Sequence, residues 1–200
     1  MKTAYFICDF ETTGLDPSRD YPIEVGLVIC SETFALLDTY SSLILWPAFT
    51  ELTDWPREWQ KAAAVHRISL SDLKECSRPV EVVRRDIAAL VSRFRAETAI
   101  LVSDNIQFDY TLMRRLMGPE FPFHYHGYDT QLVKSLLSMA GIRAPNPTKK
   151  QHRALADALH LYIQIRQMVV ALELATAPEI KAVNMGPCNA ISRERKKLRR

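Results

Sequence analysis

Apolar positions in the first 45 residues fall into runs and alternations with a period near two. Residues 4–10 (AYFICDF) are almost continuously apolar, while 22–30 (PIEVGLVIC) and 33–45 (TFALLDTYSSLIL) are rich in β-branched and aromatic side chains. These patterns predict three strands, the second and third so close in sequence that they form an antiparallel hairpin. Beyond residue 55 the spacing becomes helical. WPREWQKAAAV (55–65) has helical composition with Pro56 near its first turn. Residues 77–97 place apolar side chains at 80, 83, 87, 90, 91 and 94, one helix face, with Ser77 as its N-cap. TAILVS (98–103) predicts a buried strand and DYTLMRRLM (109–117) a helix after it. YDTQLVKSLLSMA (128–140) predicts a helix capped by Asp129 and ended at Gly141; 144–150 reads as a loop, and 152–175 as a long amphipathic helix. Three early strands followed by alternating strands and helices give an α/β fold, a mixed sheet with helices packed on its faces.

Composition narrows the setting. Two hundred residues, 48% hydrophobic and 24% charged, suffice for one well-cored domain. No apolar run approaches the roughly 18 residues of a membrane span, and the apolar run at the start is shorter than that of a signal peptide. Cys8, Cys30, Cys76 and Cys188 show neither a CxxC pair nor metal-ligand spacing, so they read as reduced thiols in a cytoplasmic protein without a membrane partner. The net charge of +3 is uneven: from Thr176 onward there are seven basic residues and two acids, which leaves the preceding 175 residues at −2. The chain therefore divides into a body (1–175) and a basic, flexible tail (176–200), the tail either contacting a polyanion or merely solvated.

Chemistry enters at CDFETTGLD (8–16). Residues i and i+2 of a strand share a face, so Asp9 and Glu11 project together at the end of a buried strand. Two ionised carboxylates so placed repel each other unless a cation lies between them, and hard oxygen ligands suit Mg²⁺ or Mn²⁺. With 23 acids in the chain, an Asp-x-Glu arises about once by chance, so partners are needed. Asp109 lies just inside the helix after the strand 98–103, and His152 and Asp157 lie in KKQHRALADALHLY (149–162). On an ideal helix His152 and Asp157 would stand about 140° apart. That spacing puts His152 in the loop or first turn and Asp157 on the inward helix face, where an acid without a cation is costly. Four acids and one loop histidine form the inventory of a two-metal hydrolytic site.

Three segments in this order, DFETTGLD, NIQFD and HRALADA, resemble the motifs of the DEDDh-type 3′–5′ exonucleases, the group of replicase proofreading subunits, RNase T and oligoribonuclease. The resemblance spans roughly residues 4–175. It implies a ribonuclease-H-like fold with three antiparallel strands followed by parallel ones. It implies two Mg²⁺ or Mn²⁺ ions held by Asp9, Glu11, Asp109 and Asp157, with His152 as general base on the attacking water. Thr12 and Thr13 would receive the terminal nucleotide, Leu15 would wedge beside the terminal bases, and Phe108 would line the pocket. His66 matches a His-x-Ile segment that approaches the penultimate nucleotide in some members, or is a surface or capping histidine. The implied substrate is a single-stranded 3′ end of DNA or RNA, released as nucleoside monophosphates, with a polymerase or a second copy as a possible partner.

Physical reasoning alone also supports such a reaction: a metal pair clamps the attacking and leaving oxygens of a phosphodiester displacement, and an imidazole takes a proton near neutral pH. His152 follows a loop without helical continuity, so it is expected to be mobile until substrate arrives. His124, His126 and His160 read as structural. The second motif departs from the family, because Ser103-Asp104 precede Asn105 where His-Asn is common; Asp104 reads first as a helix cap and second as an additional acid. Glu24 reads as structural, Asp129 as a cap and Asp16 as a turn residue. Two alternatives stay open: a catalytically decayed nucleic-acid-binding or polymerase-accessory module of the same fold, and another hydrolase, such as an endonuclease, on a related fold.

Overall fold

Nine consecutive buried residues, Pro22–Cys30, form the second strand of the computed structural model, which describes residues 2–94, 97–143 and 151–184, with side chains to 173. This strand, β2, lies inside a six-stranded sheet and is covered on both faces, which is why its sequence is a run and not an alternation. β1 (Thr3–Thr12) and β3 (Leu36–Leu45) pair with it antiparallel. β4 (Arg78–Pro79), β5 (Thr98–Ser103) and β6 (Tyr128–Asp129) complete the order β4-β3-β2-β1-β5-β6, with β5 and β6 parallel to β1.

The helices are α1 (Gln60–His66), α2 (Leu70–Cys76), α3 (Val80–Arg93), α4 (Ile106–Met117), α5 (Thr130–Met139) and α6 (Ala154–Asn184). Alternating strand residues feed two apolar layers. Phe6, Cys8 and Phe10 of β1 join Leu73 of α2, Val83 and Ile87 of α3, and Leu112 and Leu116 of α4 on one face. Ile7 and Val28 join Leu137 of α5 and Ala158, Leu161 and Ile165 of α6 on the other. The expected mixed sheet with helices on both faces is the observed one, and its parallel strands follow the antiparallel three.

Several local expectations are corrected. Ser77 does not cap α3: its hydroxyl donates to the Leu73 carbonyl at the end of α2, and α3 starts after Pro79 without a side-chain cap. α2 had no counterpart in the sequence reading, although Ser69 and Asp72 form a reciprocal capping box at its start. β3 begins at Leu36 because residues 31–35 are consumed by a turn in which Ser31 accepts from Thr33 and Ala35. α4 starts three residues before Asp109. Residues 175 and 176, where the body and tail are expected to divide, both lie in α6 (Ala154–Asn184), and the division itself stands as an expectation. The loop at 144–150 and the basic run from 193 lie outside the described residues.

Candidate active site

β1 persists to Thr12, so Asp9 and Glu11 do share a face, and Glu11 is buried. In the antiparallel register Asp9 stands opposite Gly26 and Glu11 opposite Glu24, with a bulge after Glu11. The chain then turns through a loop organised by Asp20. The Thr13 hydroxyl donates to Asp20 at 3.1 Å and accepts from the Tyr21 N–H at 3.0 Å, while the Asp16 N–H donates to Asp20 at 2.9 Å. A Cβ on Gly14 would lie 2.4 Å from the Asp20 carboxylate, so a side chain there would push Asp20 off the bonds it makes to this loop. The Thr12 hydroxyl donates to the Gly14 carbonyl, so both threonine hydroxyls are engaged within the loop. Leu15 is thrust outward with 91% of its surface exposed. Asp16 accepts from Ser18, the turn role expected of it.

The second acid element is the first turn of α4, where Asp109 is buried. Asp104 just before it is not the helix cap: it accepts from Thr130 Oγ1 at 2.7 Å, Gln131 Nε2 at 2.7 Å and Lys134 Nζ at 2.6 Å. Burial raises its pKa, but these donors outweigh burial and hold it below the usual carboxylate value. Asp104 therefore ties α4 to α5. Asp129 caps α5, accepting from the Gln131 and Leu132 amides, and also takes the Ile106 N–H.

The third element is the turn entering α6. Asp157 lies in its first turn with both oxygens engaged: Oδ1 accepts from the Gln151 N–H at 2.8 Å and Oδ2 from the His152 N–H at 3.0 Å. Each carboxylate oxygen has two lone pairs, so a further ligand bond at each remains available. His152 itself adopts φ 55, the left-handed region. One ligand atom each of Glu11, His152 and Asp157 lie within 4.8 Å of one another, a set of donors suited to a divalent cation. His160 lies next to this set: its Nδ1 is 3.8 Å from Asp157 Oδ1 and is buried without a hydrogen bond.

Two cavities meet at Asp9, Phe10, Leu15 and Phe108. The larger, about 780 Å³, is lined also by Glu11, Thr12, Thr13, Trp59, Val65, His66 and His152. The smaller, about 350 Å³, reaches Asp109 and Asn105. The negative field is visible at buried Cys8, whose thiol is pushed well up by burial, then by Asp109 and Asp9. His66 is neither a surface nor a capping histidine: it is buried, its Nδ1 accepts from the Ile68 N–H at 2.9 Å, and burial pulls its pKa down to about 4. That leaves Nε2–H as the donor of a neutral ring on the cavity wall.

Nine of the ten residues singled out from the sequence line these two cavities, and the tenth, Asp157, places a carboxylate oxygen within 4.8 Å of ligand atoms of Glu11 and His152. Glu24, read as structural, finds its partners in Arg153 and Ala154, which the sequence does not announce; Trp59, Lys61, Val65 and Arg19 join the cavity wall without a sequence expectation of that place. The helical reading of 55–65 carried the signal for Trp59, Lys61 and Val65 but not which face they present. His124 and His126 line neither cavity.

Comparison with known proteins follows this geometry. Residues 6–164 match the family model RNase_T, described as an exonuclease. The chain is 28% identical over 192 residues to the PolC-type DNA polymerase III of Thermotoga petrophila, covering 88% of this chain and 13% of the polymerase. It is 24% identical over 165 residues to the oligoribonuclease of Shewanella loihica, covering 79% and 89% respectively. Among solved structures, a zinc-bound complex of Escherichia coli exonuclease I with single-stranded DNA superposes with a TM-score of 0.61 at 16% identity, over 82% of this chain and 40% of that one. The exonuclease I of Methylocaldum szegediense gives 0.63 at 18% identity, over 84% and 40%. At these identities the structural likeness is one of fold. The chain spans about an eighth of the polymerase relative and two fifths of the exonuclease I chains.

Proposed function

The chain belongs to the RNase_T exonuclease family of DEDDh type, and on that premise we propose that it is a metal-dependent 3′–5′ exonuclease releasing nucleoside monophosphates from single-stranded 3′ ends. The observation that carries the reading is the gathering of β1, α4 and α6-turn residues on one cavity with an exposed leucine at its lip. Asp9, Glu11, Asp109 and Asp157 would hold two Mg²⁺ or Mn²⁺ ions, whose chemistry is to acidify water and neutralise developing phosphorane charge. The donor set fits such ions, since it is dominated by hard carboxylate oxygens.

The chain's own residues do the rest. The His152 imidazole takes the proton of the attacking water, a contribution of about 10² to 10⁴ in rate. Leu15 and Phe108 offer apolar surfaces on which terminal bases stack, and stacking tolerates any base because each has a π-face. The loop at Thr12 and Thr13, fixed by Asp20 and by the Thr13 N–H donated to the Tyr21 carbonyl, would receive the terminal nucleotide. His66 Nε2–H faces the same space. An unpaired end fits this arrangement better than a duplex, whose fraying costs a few kcal/mol. Relatives named for DNA polymerase and for oligoribonuclease keep both polymers in the substrate class. Association with a polymerase or with a second copy is a further expectation, which co-purification and sedimentation would decide.

The test is digestion of 5′-labelled single-stranded DNA and RNA with Mg²⁺ or Mn²⁺, with and without EDTA. A ladder retreating from the 3′ end, abolished by EDTA, is expected; internal cuts would indicate an endonuclease, and binding without cleavage a decayed module. His152→Ala should lower kcat by about 10² to 10⁴-fold with little change in substrate affinity.

A further inference from the structure

A non-glycine residue at positive φ persists only where its surroundings over-determine it, and such outliers cluster at functional sites. His152, at φ 55, is held from both sides. Upstream, the Gln151 and His152 amides are fastened to Asp157. Downstream, Arg153 grips Glu24 of β2 as a fork, Nε at 3.1 and 3.2 Å from the two carboxylate oxygens and Nη2 at 2.8 Å from Oε1. The Ala154 N–H adds a fourth bond, 3.0 Å to Oε2. Glu24 is 2% exposed, so its charge is buried and fully committed to this one turn. It stands opposite Glu11 in the sheet, which places the anchor beside the cavity that His152 lines. The strength of the grip shows at Arg153, whose pKa is raised first by the bond to Glu24.

We infer that Glu24 and Arg153 are positioning residues for His152: the fork fixes the left-handed turn and with it the direction in which the imidazole enters the cavity. The inference rests on the reading of His152 as the base. A bidentate guanidinium suits this task because it fixes an angle as well as a distance, which an ammonium does not.

Arg153→Met, Arg153→Lys and Glu24→Gln are the variants, each also made in a His152→Ala background. Replacing Arg153 strips the buried Glu24 carboxylate of its cation, so circular dichroism and thermal unfolding are recorded for each variant and rates are compared at a temperature where all are folded. The expected result for Arg153→Met is a kcat lower by up to about 100-fold, the penalty of a misplacement of roughly 1 Å, with KM little changed. Arg153→Lys should recover only part of the loss. In the His152→Ala background the same substitution should cost nothing further. An equal loss in both backgrounds overturns the inference while leaving the exonuclease reading in place. A raised KM with unchanged kcat also overturns it, because Arg153 would then be a phosphate ligand. A His152→Ala enzyme at the wild-type rate overturns the base assignment itself. Amide hydrogen exchange offers a readout free of activity: Gln151 and His152 should exchange faster in Arg153→Met while β1 and β2 do not. Unchanged exchange at both amides overturns the latch whatever the kinetics show.

Discussion

Replacing Gly26 by alanine sets two effects of opposite sign against each other. Gly26 lies in β2, in extended backbone, where a Gly→Ala change ordinarily stabilises by about 0.4–1 kcal/mol through lost freedom of the unfolded chain. Here the added Cβ would meet the start of α6: 2.2 Å from the Leu155 nitrogen, 2.3 Å from the Ala154 carbonyl carbon and 2.4 Å from its oxygen. Ordinary contact is about 3.5–4.0 Å, so something must retreat by more than about 1 Å. All three neighbours are backbone, and no rotamer relieves them. Overpacking of this kind costs about 1–3 kcal/mol, which exceeds the entropic gain, so the net sign is destabilising.

The retreat also has a direction. It carries Ala154 away from Glu24 and with it the turn that holds His152 and Asp157 beside Glu11. Gly26→Ala should therefore lower the thermal midpoint by roughly 2–8 °C and kcat by as much as about 100-fold. Urea unfolding at unchanged m-value gives the stability, and digestion of an end-labelled strand gives the rate. A variant as stable and as fast as wild type would show that α6 does not rest on the β2 backbone, and the placement of His152 would lose its foundation.

Asp9→Ala and Asp109→Asn should each abolish hydrolysis with an unchanged circular dichroism spectrum; a variant retaining more than about a tenth of the rate leaves the metal site. His66 gives a pH prediction. Its folded pKa of about 4 lies below the unfolded value of about 6.5, so the unfolded chain binds its proton first; this stability is full above pH 6.5 and is lost as pH falls towards 4. His66→Gln should flatten that part of the pH dependence of urea midpoints, and an identical profile would put His66 in solvent. Truncation after Met185 should raise KM for long substrates and weaken its salt dependence, because fewer phosphates are neutralised; an unchanged salt slope would mean that the basic run is only solvated.

Much of the site was legible because its logic is local. A strand period puts Asp9 and Glu11 on one face, and a helix start puts Asp109 inward, both within a few residues of sequence. Asp129 announced itself as a cap for the same reason. What escaped depends on distant pairing. Glu24 finds Arg153 across 129 residues, and no periodicity encodes that meeting. Asp104 looked like a cap for the helix beside it because its donors, Thr130, Gln131 and Lys134, belong to another element. Ser77 was assigned to the wrong helix for a simpler reason: with α2 unread, α3 was the only helix it could serve. The capping box at Ser69 and Asp72 was available as a signal, but Asp stands where Glu or Gln is the commoner partner.

The loop before His152 gives the expectation of a group ordered by substrate, and the described residues show a turn with bonds of its own. Asp157 has its charge stabilised by two amide donors, and Glu24 by a guanidinium fork and a third amide. These donors belong to the chain, and they hold the turn at His152 in this structure. The cost of the left-handed His152 is met by bonds formed when β2 and α6 dock, that is, by folding. Such pre-organisation is what lets donors and bases act without rearranging at the moment of reaction. It also explains why a glycine sits at position 26. Only without a Cβ does β2 let the first turn of α6 come close enough for Glu24 to reach the Ala154 amide, and the same approach brings Asp157 to Glu11.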